Sequence, residues 1–482
     1  MAQMANRPLG SLRRYRWREI FLFILPIALL LLGMTQLLLA KLDRATTVDV
    51  RNLPVLQGLT PIFGLIAALI AAHVLLSVFF RKADQMLLPL VGLLSGLGVL
   101  MATRLGPSVG DSNQGNHQLL WVFIGLVICV GIVFGLRNIQ WLSRFKYTVA
   151  LVGVILFCTT LAQALRTTNF DSPTHDQLKL GPFAFQPSEL FKVCIVIFFA
   201  AYLSENRDVL AESNWYIGKL RLPPLRQLGP VALMLGIGLV LFLFVRELGL
   251  ALLTYGIFLS MLYFATGKLS FVLTSVAIAI GLGFVGYSLL SYVRARFGIV
   301  GFDVLHPPAY PATPQPPLGQ HDPAWDQYNN YQFLVTGPYL QVFQGLIAIS
   351  SGGIIGAGFG LGHPGLVPVV QSDMVLTAFG EELGLVGVFA ILGLYLLLVY
   401  RGFHIAIRAT DTFSQLLAGG LTSIFALQTL IISAGNLKLM PLTGIPLPFL
   451  SYGGSSIIGN FIIIGILLRI SYNTRVEREG TP

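Results

Sequence analysis

Asp373 stands in Gln371-Ser372-Asp373, where a glycine-studded stretch passes into a long apolar run. A carboxylate held in a cavity at such a point can take a proton as a general base or hold a cation. The plainer reading is a helix start, with Ser372 as cap and Asp373 in the first turn, where the helix dipole favours an acid. Glu381 and Glu382 follow about 12 to 13 Å of helix rise further on. That is too far for a dyad with Asp373, so they read as structural.

Other ionisable residues sit at or within apolar runs, where each is a functional hypothesis by default. In Gln186-Pro187-Ser188-Glu189-Leu190-Phe191-Lys192, Glu189 and Lys192 are spaced i,i+3 and can pair on one helix face, as a structural ion pair or a substrate contact. Arg294 and Arg296 end another run; they fit an anion such as a lipid phosphate or pyrophosphate, or snorkelling to headgroups. Arg246-Glu247 reads as a tight turn whose charges meet water. Residues 436–456, rich in proline, glycine and hydroxyls, form a second irregular segment that would face the same cavity as Asp373. No P-loop, HExxH, zinc-ligand spacing or GxSxG elbow is present. No nucleotide, haem or flavin is expected.

The elements that must position these residues are membrane helices. Of 482 residues, 55% are hydrophobic and 11% charged, with a mean hydropathy of +0.76. A soluble chain carries about 25% charged residues, so the apolar surface must meet lipid. A bilayer core of about 30 Å takes roughly 20 apolar residues per helix. Such runs fall near 20–40, 57–80, 86–103, 118–136, 148–165, 186–204, 229–245, 248–266, 270–292, 374–400, 415–435 and 453–470. The sequence thus predicts an all-α polytopic protein of about twelve transmembrane helices.

The net charge of +10 lies in short runs between spans and forms no continuous face for nucleic acid. No Lys or Arg occurs between Arg296 and Arg401, a stretch that includes the longest loop, 297–372. The positive-inside rule therefore places that loop outside the cytoplasm and both termini inside. Its first half, 307–323, is proline-rich and reads as an extended surface insertion, with a partner contact as one use for it. Its second half is apolar with seven glycines between Gly352 and Gly365, which reads as a re-entrant or cavity-lining segment. Cys129, Cys158 and Cys194 all lie in apolar runs and read as packing residues.

Across about 86–473 the chain resembles the SEDS (RodA/FtsW) family. The resemblance rests on Gln186-Pro187-Ser188-Glu189 with Lys192, on Arg294-Ala295-Arg296, and on Gln344 through Gly353 followed by Gly356 and Gly358. Asp373, Gly380 through Gly384, and Pro446 through Ser456 complete it. Two departures stand out: Arg246-Glu247 replaces the family's Pro-Asp, and Gln371-Ser372 replaces its His-Thr. The resemblance implies a ten-helix core at 86–473, preceded by a tail and two added helices (1–85) and followed by a short tail (474–482).

It further implies an inverting peptidoglycan glycosyltransferase that polymerises lipid II at the outer face of the bacterial cytoplasmic membrane, during elongation or division. A lipid II flippase is the alternative. Asp373 would be the base and a possible site for Mg or Mn. Arg294, Arg296, Glu189, Lys192, Gln344, Ser351, Gly352, Ser451 and Tyr452 would contact substrate, and the partner would be a class B penicillin-binding protein.

Overall fold

The computed structural model describes residues 16–43, 60–166, 178–180, 183–211, 215–217, 220–222, 225–301 and 340–480. The proline-rich stretch 307–323 lies outside the described residues, and the loop 297–372 is described only at its two ends.

A helix occupies each of the twelve apolar runs. They are α1 (Trp17–Asp43), α2 (Thr60–Phe79), α3 (Leu87–Leu105), α4 (Gln114–Gly135), α5 (Lys146–Arg166), α6 (Ser188–Glu205), α7 (Leu225–Val245), α8 (Leu248–Thr266) and α9 (Leu269–Leu289). After α10 (Ser291–Gly301) and α11 (Leu340–Gly352) come the last three, α12 (Val375–Arg408), α13 (Thr412–Asn436) and α14 (Gly454–Gly480). Among the described residues nine of the twelve are long and apolar enough to cross a membrane. The apolar parts of α5 and α7 are shorter, at Lys146–Ala162 and Gly229–Val245, and α6 carries Glu189, Lys192 and Glu205. Two three-residue antiparallel hairpins, Leu178–Leu180 with Phe183–Phe185 and Trp215–Ile217 with Leu220–Leu222, were not expected from the sequence. Both lie in connections whose apolar patterning is too short to read against the helices around them.

Residues on the bundle's outside explain why it needs lipid. On α9, Ile280, Phe284 and Leu289 are each about 70% or more exposed, and no polar solvent would tolerate such a face. Inside, α14 lies along α4, α12 packs on α11 and α13, and α13 packs on α6 and α8. Asp411 starts α13 by accepting the Ser414 amide at 2.8 Å, which satisfies a donor that the helix itself leaves free.

The first two helices are anchored to the rest by charge as well as by packing. α1 runs along α3, and α2 along α3 and α4. At the start of α1, fully buried Arg16 pairs with Glu19 at 2.6 Å and donates to the carbonyls of Phe80 and Asp84. Glu19 also meets His73 of α2 at 2.7 Å, and the Asp84 carboxylate pairs with Arg401 of α12. Near its other end α1 meets the glycine-rich segment: a Cβ on Gly360 would lie 2.9 Å from that of Ala40.

α12 is broken at Gly384, whose φ of 65° and ψ of −171° leave the helical region. The break lets residues 352–362 lie against it. The amides of Ala357 and Gly358 donate to the carbonyls of Glu381 and Glu382, and those of Leu385 and Val386 donate to Gly353 and Ile354. Gly356, with φ of 93°, is required there twice over, because a side chain would also come within 2.4 Å of the Glu382 carbonyl.

Candidate active site

The Glu pair is the foundation of this region. Glu382 is fully buried, yet its carboxylate is met by Arg104 Nε at 2.8 Å and by the Gly360 amide at 3.0 Å, while Arg104 also donates to the Gly362 carbonyl. Glu381 accepts the His363 amide at 2.6 Å. Both carboxylates therefore shape the glycine-rich segment, in keeping with a structural role. Arg104, in the last turn of α3, gives no signal in the sequence, because it falls at the edge of a span, where a basic residue ordinarily meets water.

Asp373 lies in the turn before α12. The helix starts at Val375 with Met374 at its cap position, so Ser372 is not the cap and Asp373 is not in the first turn. Instead the irregular segment before α14 holds this turn. The Tyr452 amide donates to the Gln371 carbonyl at 2.8 Å, and the Ser451 hydroxyl donates to the Ser372 carbonyl. Ser451 is fixed in turn by the Leu447 amide on its hydroxyl at 2.7 Å and by Gln118 of α4 on its carbonyl at 3.1 Å. Val369 and Phe449, on either side of this junction, both have positive φ, at 55° and 66°. Strain of that kind persists only where surrounding contacts hold it.

The Asp373 side chain is 8% exposed and accepts from Gln341 of α11 at 3.0 Å. Burial pushes its pKa up to about 6, against the opposing pull of its own backbone amide, Gln341 and the Arg296 charge. Gln341 lies one helical turn before Gln344, the residue singled out from the sequence. Only the fold shows which of the two glutamines reaches the aspartate. The Gln344 and Gln371 side-chain oxygens are buried without a hydrogen-bond partner among the described residues.

The two arginines diverge. Arg296 donates to the Leu442 carbonyl at 2.8 Å and contributes to the field at Asp373. Arg294 is exposed, donates back to the Ser288 carbonyl at 2.9 Å and stands over the Tyr287 ring. Thr443 and Ile445, beside the Arg296 contact, pack so closely on Gly249 that a Cβ there would lie within 2.7 Å of both. The turn before it is consequently not solvated as expected: Glu247 is buried.

Glu189 and Lys192 pair at 2.6 Å, both completely buried. Lys192 also donates to Gln428 at 3.1 Å, and Gln428 donates to the Pro446 carbonyl at 2.6 Å. The pair thus supports the 446–453 segment from behind. Lys192→Met should cost about 3–5 kcal/mol, because it strands a buried carboxylate. The thermal midpoint of the detergent-purified variant should fall by several degrees, and the Glu189→Gln/Lys192→Met double variant should recover part of the loss. An unchanged midpoint for the single variant would remove this supporting role. Ser351 is exposed and its hydroxyl bonds the Ala348 carbonyl at 2.8 Å. Gly352 is where α11 crosses α12, with room for a Cβ only 2.1 Å from the Gly380 carbonyl.

The structure therefore brings together Asp373, Arg296, Ser451 and Tyr452, backed by Glu189–Lys192, and leaves Arg294 and Ser351 apart. An apolar helical bundle of this kind, with a buried carboxylate at Asp373, is a polytopic membrane protein. The chain belongs to the FtsW/RodA/SpoVE family of cell cycle proteins, whose model it matches over residues 84–302 and 317–476, as the motif resemblance implied. It is 32% identical over 423 residues to the peptidoglycan glycosyltransferase RodA of Mycobacterium leprae, covering 86% of this chain and 83% of that one. It is 30% identical over 403 residues to a probable peptidoglycan glycosyltransferase FtsW of Trichlorobacter lovleyi, covering 81% and 94%.

Solved structures share the fold. A chain of a peptidoglycan synthase complex that coordinates polymerization and crosslinking superposes with a TM-score of 0.58 at 22% identity, covering 81% of this chain and 98% of that one. The rod shape determining protein RodA of Thermus thermophilus gives 0.50 at 21% identity, covering 81% and 96%.

Proposed function

We propose that this chain is a peptidoglycan glycosyltransferase that polymerises lipid II at the outer face of the cytoplasmic membrane, with Asp373 as general base. The class of reaction follows from family membership, and the observation that carries the base assignment is the buried Asp373 carboxylate with its pKa near 6. A base with a pKa close to the working pH is both ionised and able to hold a proton. Asp373 takes the proton of the acceptor sugar hydroxyl, and that oxygen attacks the donor's anomeric carbon with inversion. The C–O bond to the polyprenyl pyrophosphate breaks, and the pyrophosphate leaves with the bonding electrons. Arg296, held near Asp373, is placed to neutralise the negative charge that develops on the departing pyrophosphate.

The Asp373 oxygen not bound by Gln341 and the unpartnered Gln371 oxygen are the donors this turn offers to a divalent cation such as Mg or Mn. When bound, the ion would supply charge neutralisation for the pyrophosphate. Twelve spans with the 297–372 loop outside and both termini inside complete the reading. A class B penicillin-binding protein, as the cross-linking partner, fits the neighbour drawn from a synthase complex. The chain would serve elongation or division, relatives named RodA and FtsW both being similar to it.

Purified protein in detergent separates polymerase from flippase, since glycan strands need no bilayer and flipping leaves lipid II chemically unchanged. Polymer should form in detergent, and Arg296→Gln should raise the lipid II concentration needed for it. Absence of polymer, together with lipid II translocation in vesicles, would reverse the assignment.

A further inference from the structure

The end of the bundle far from Asp373 holds a second polar feature. A partly open cleft is lined by Arg408 and His404 of α12, by Ser471, Thr474, Arg475 and Arg478 of α14, and by Asp84. Its one acid is already committed: Asp84 pairs with Arg401 and accepts the amides of Met86 and Leu87. Arg408 and Arg475 form no ion pair or hydrogen bond with any described residue, and the Ser471 and Thr474 hydroxyls likewise have no described partner. Both hydroxyl residues are nonetheless only 6% exposed. Guanidinium groups converging on a cleft with free hydroxyls and a neutralised acid make the chemistry of a phosphoryl site.

Its location says where the phosphoryl group comes from. After the break at Gly384, the 24 residues from Leu385 to Arg408 amount to about 36 Å of helix, more than the roughly 30 Å hydrocarbon core. Arg408, the last residue of α12, thus stands at headgroup level on the face opposite Asp373. Basic pockets between helices at that depth are suited to anionic headgroups.

We propose that this cleft binds the phosphoryl group of an anionic phospholipid headgroup or of a free phosphate through Arg408 and Arg475, with Ser471 and Thr474 as hydroxyl donors. The site is independent of the chemistry at Asp373.

The test uses the full chain, purified through nanodiscs of phosphatidylglycerol mixed with phosphatidylcholine, with retained lipid counted by native mass spectrometry. The wild type should keep phosphatidylglycerol through delipidation. R408Q/R475Q should lose it at least fivefold, whereas R408K/R475K and R144Q, an exposed arginine outside the cleft, should match the wild type. A thermal midpoint raised by millimolar inorganic phosphate in the wild type but not in R408Q/R475Q, without selective lipid retention, would assign the site to free phosphate. Equal lipid retention and equal phosphate response in wild type and R408Q/R475Q would overturn the proposal. Should the double variant fail to fold, R408Q and R475Q singly carry the same comparison.

Discussion

Asp373→Asn should leave a folded protein that still binds lipid II and makes no measurable glycan strand. Asparagine keeps the shape and can still meet Gln341, but it cannot take a proton. Loss of a general base alone removes about 10²–10⁴-fold of rate, enough to take polymer below detection on a gel of labelled strands. The same residue sets the pH dependence. Its carboxylate is protonated below a pKa of about 6 and ionised above it. The catalytic form is the ionised one, so kcat/KM should fall as pH drops through about 6 and level off above it. Gln341→Leu removes a bond that favours the charged form, and should move the acid limb to higher pH. Polymerisation retained by Asp373→Asn, or an acid limb unmoved in Gln341→Leu, would take the base role away from this carboxylate.

Arg104→Met should be the most damaging substitution away from Asp373. It strips Glu382 of its charged partner among the described residues and releases the Gly362 carbonyl in the same step. A buried charge left without its partner costs about 3–5 kcal/mol. The loss should appear as a much lower yield of monodisperse protein and a thermal midpoint several degrees down. Arg104→Met combined with Glu382→Gln should recover part of that stability, because the stranded charge is gone. Activity should not return with it, since the glycine-rich segment has still lost both the Arg104 contact and its full-strength carboxylate acceptor for the Gly360 amide. A single variant as stable as the wild type would show that the pair contributes nothing to the segment.

Much of this architecture is legible in the residues themselves. Long apolar runs dictate helices wherever lipid must be met, and a helix does occupy each run. Glu189 and Lys192 announce their pairing by a spacing of three on a buried helix. The glycines of 352–365 announce irregular backbone, and the reason is now visible: they give way to the carbonyls of a helix broken at Gly384. What the sequence conceals is contact between segments far apart along the chain. Gln341 and Gln344 are equivalent until the crossing of α11 over α12 decides which one faces Asp373. Arg294 and Arg296 look like one clamp, yet two residues on a helix point about 200° apart, and only Arg296 turns toward the aspartate. Gln118 and Arg104 carry no local signature, because their partners are backbone and side-chain atoms more than 200 positions away.

The buried charges of α1 bear on how the molecule is made. Arg16 and Glu19 satisfy each other only in part; their other contacts are His73, the carbonyls of Phe80 and Asp84, and through Asp84 the late-emerging Arg401. A ribosome delivers Arg16 to the membrane hundreds of residues before Arg401. Arg16 and Glu19 find their own partners within the first 84 residues, whereas the Asp84 carboxylate lacks its arginine until α12 is in place.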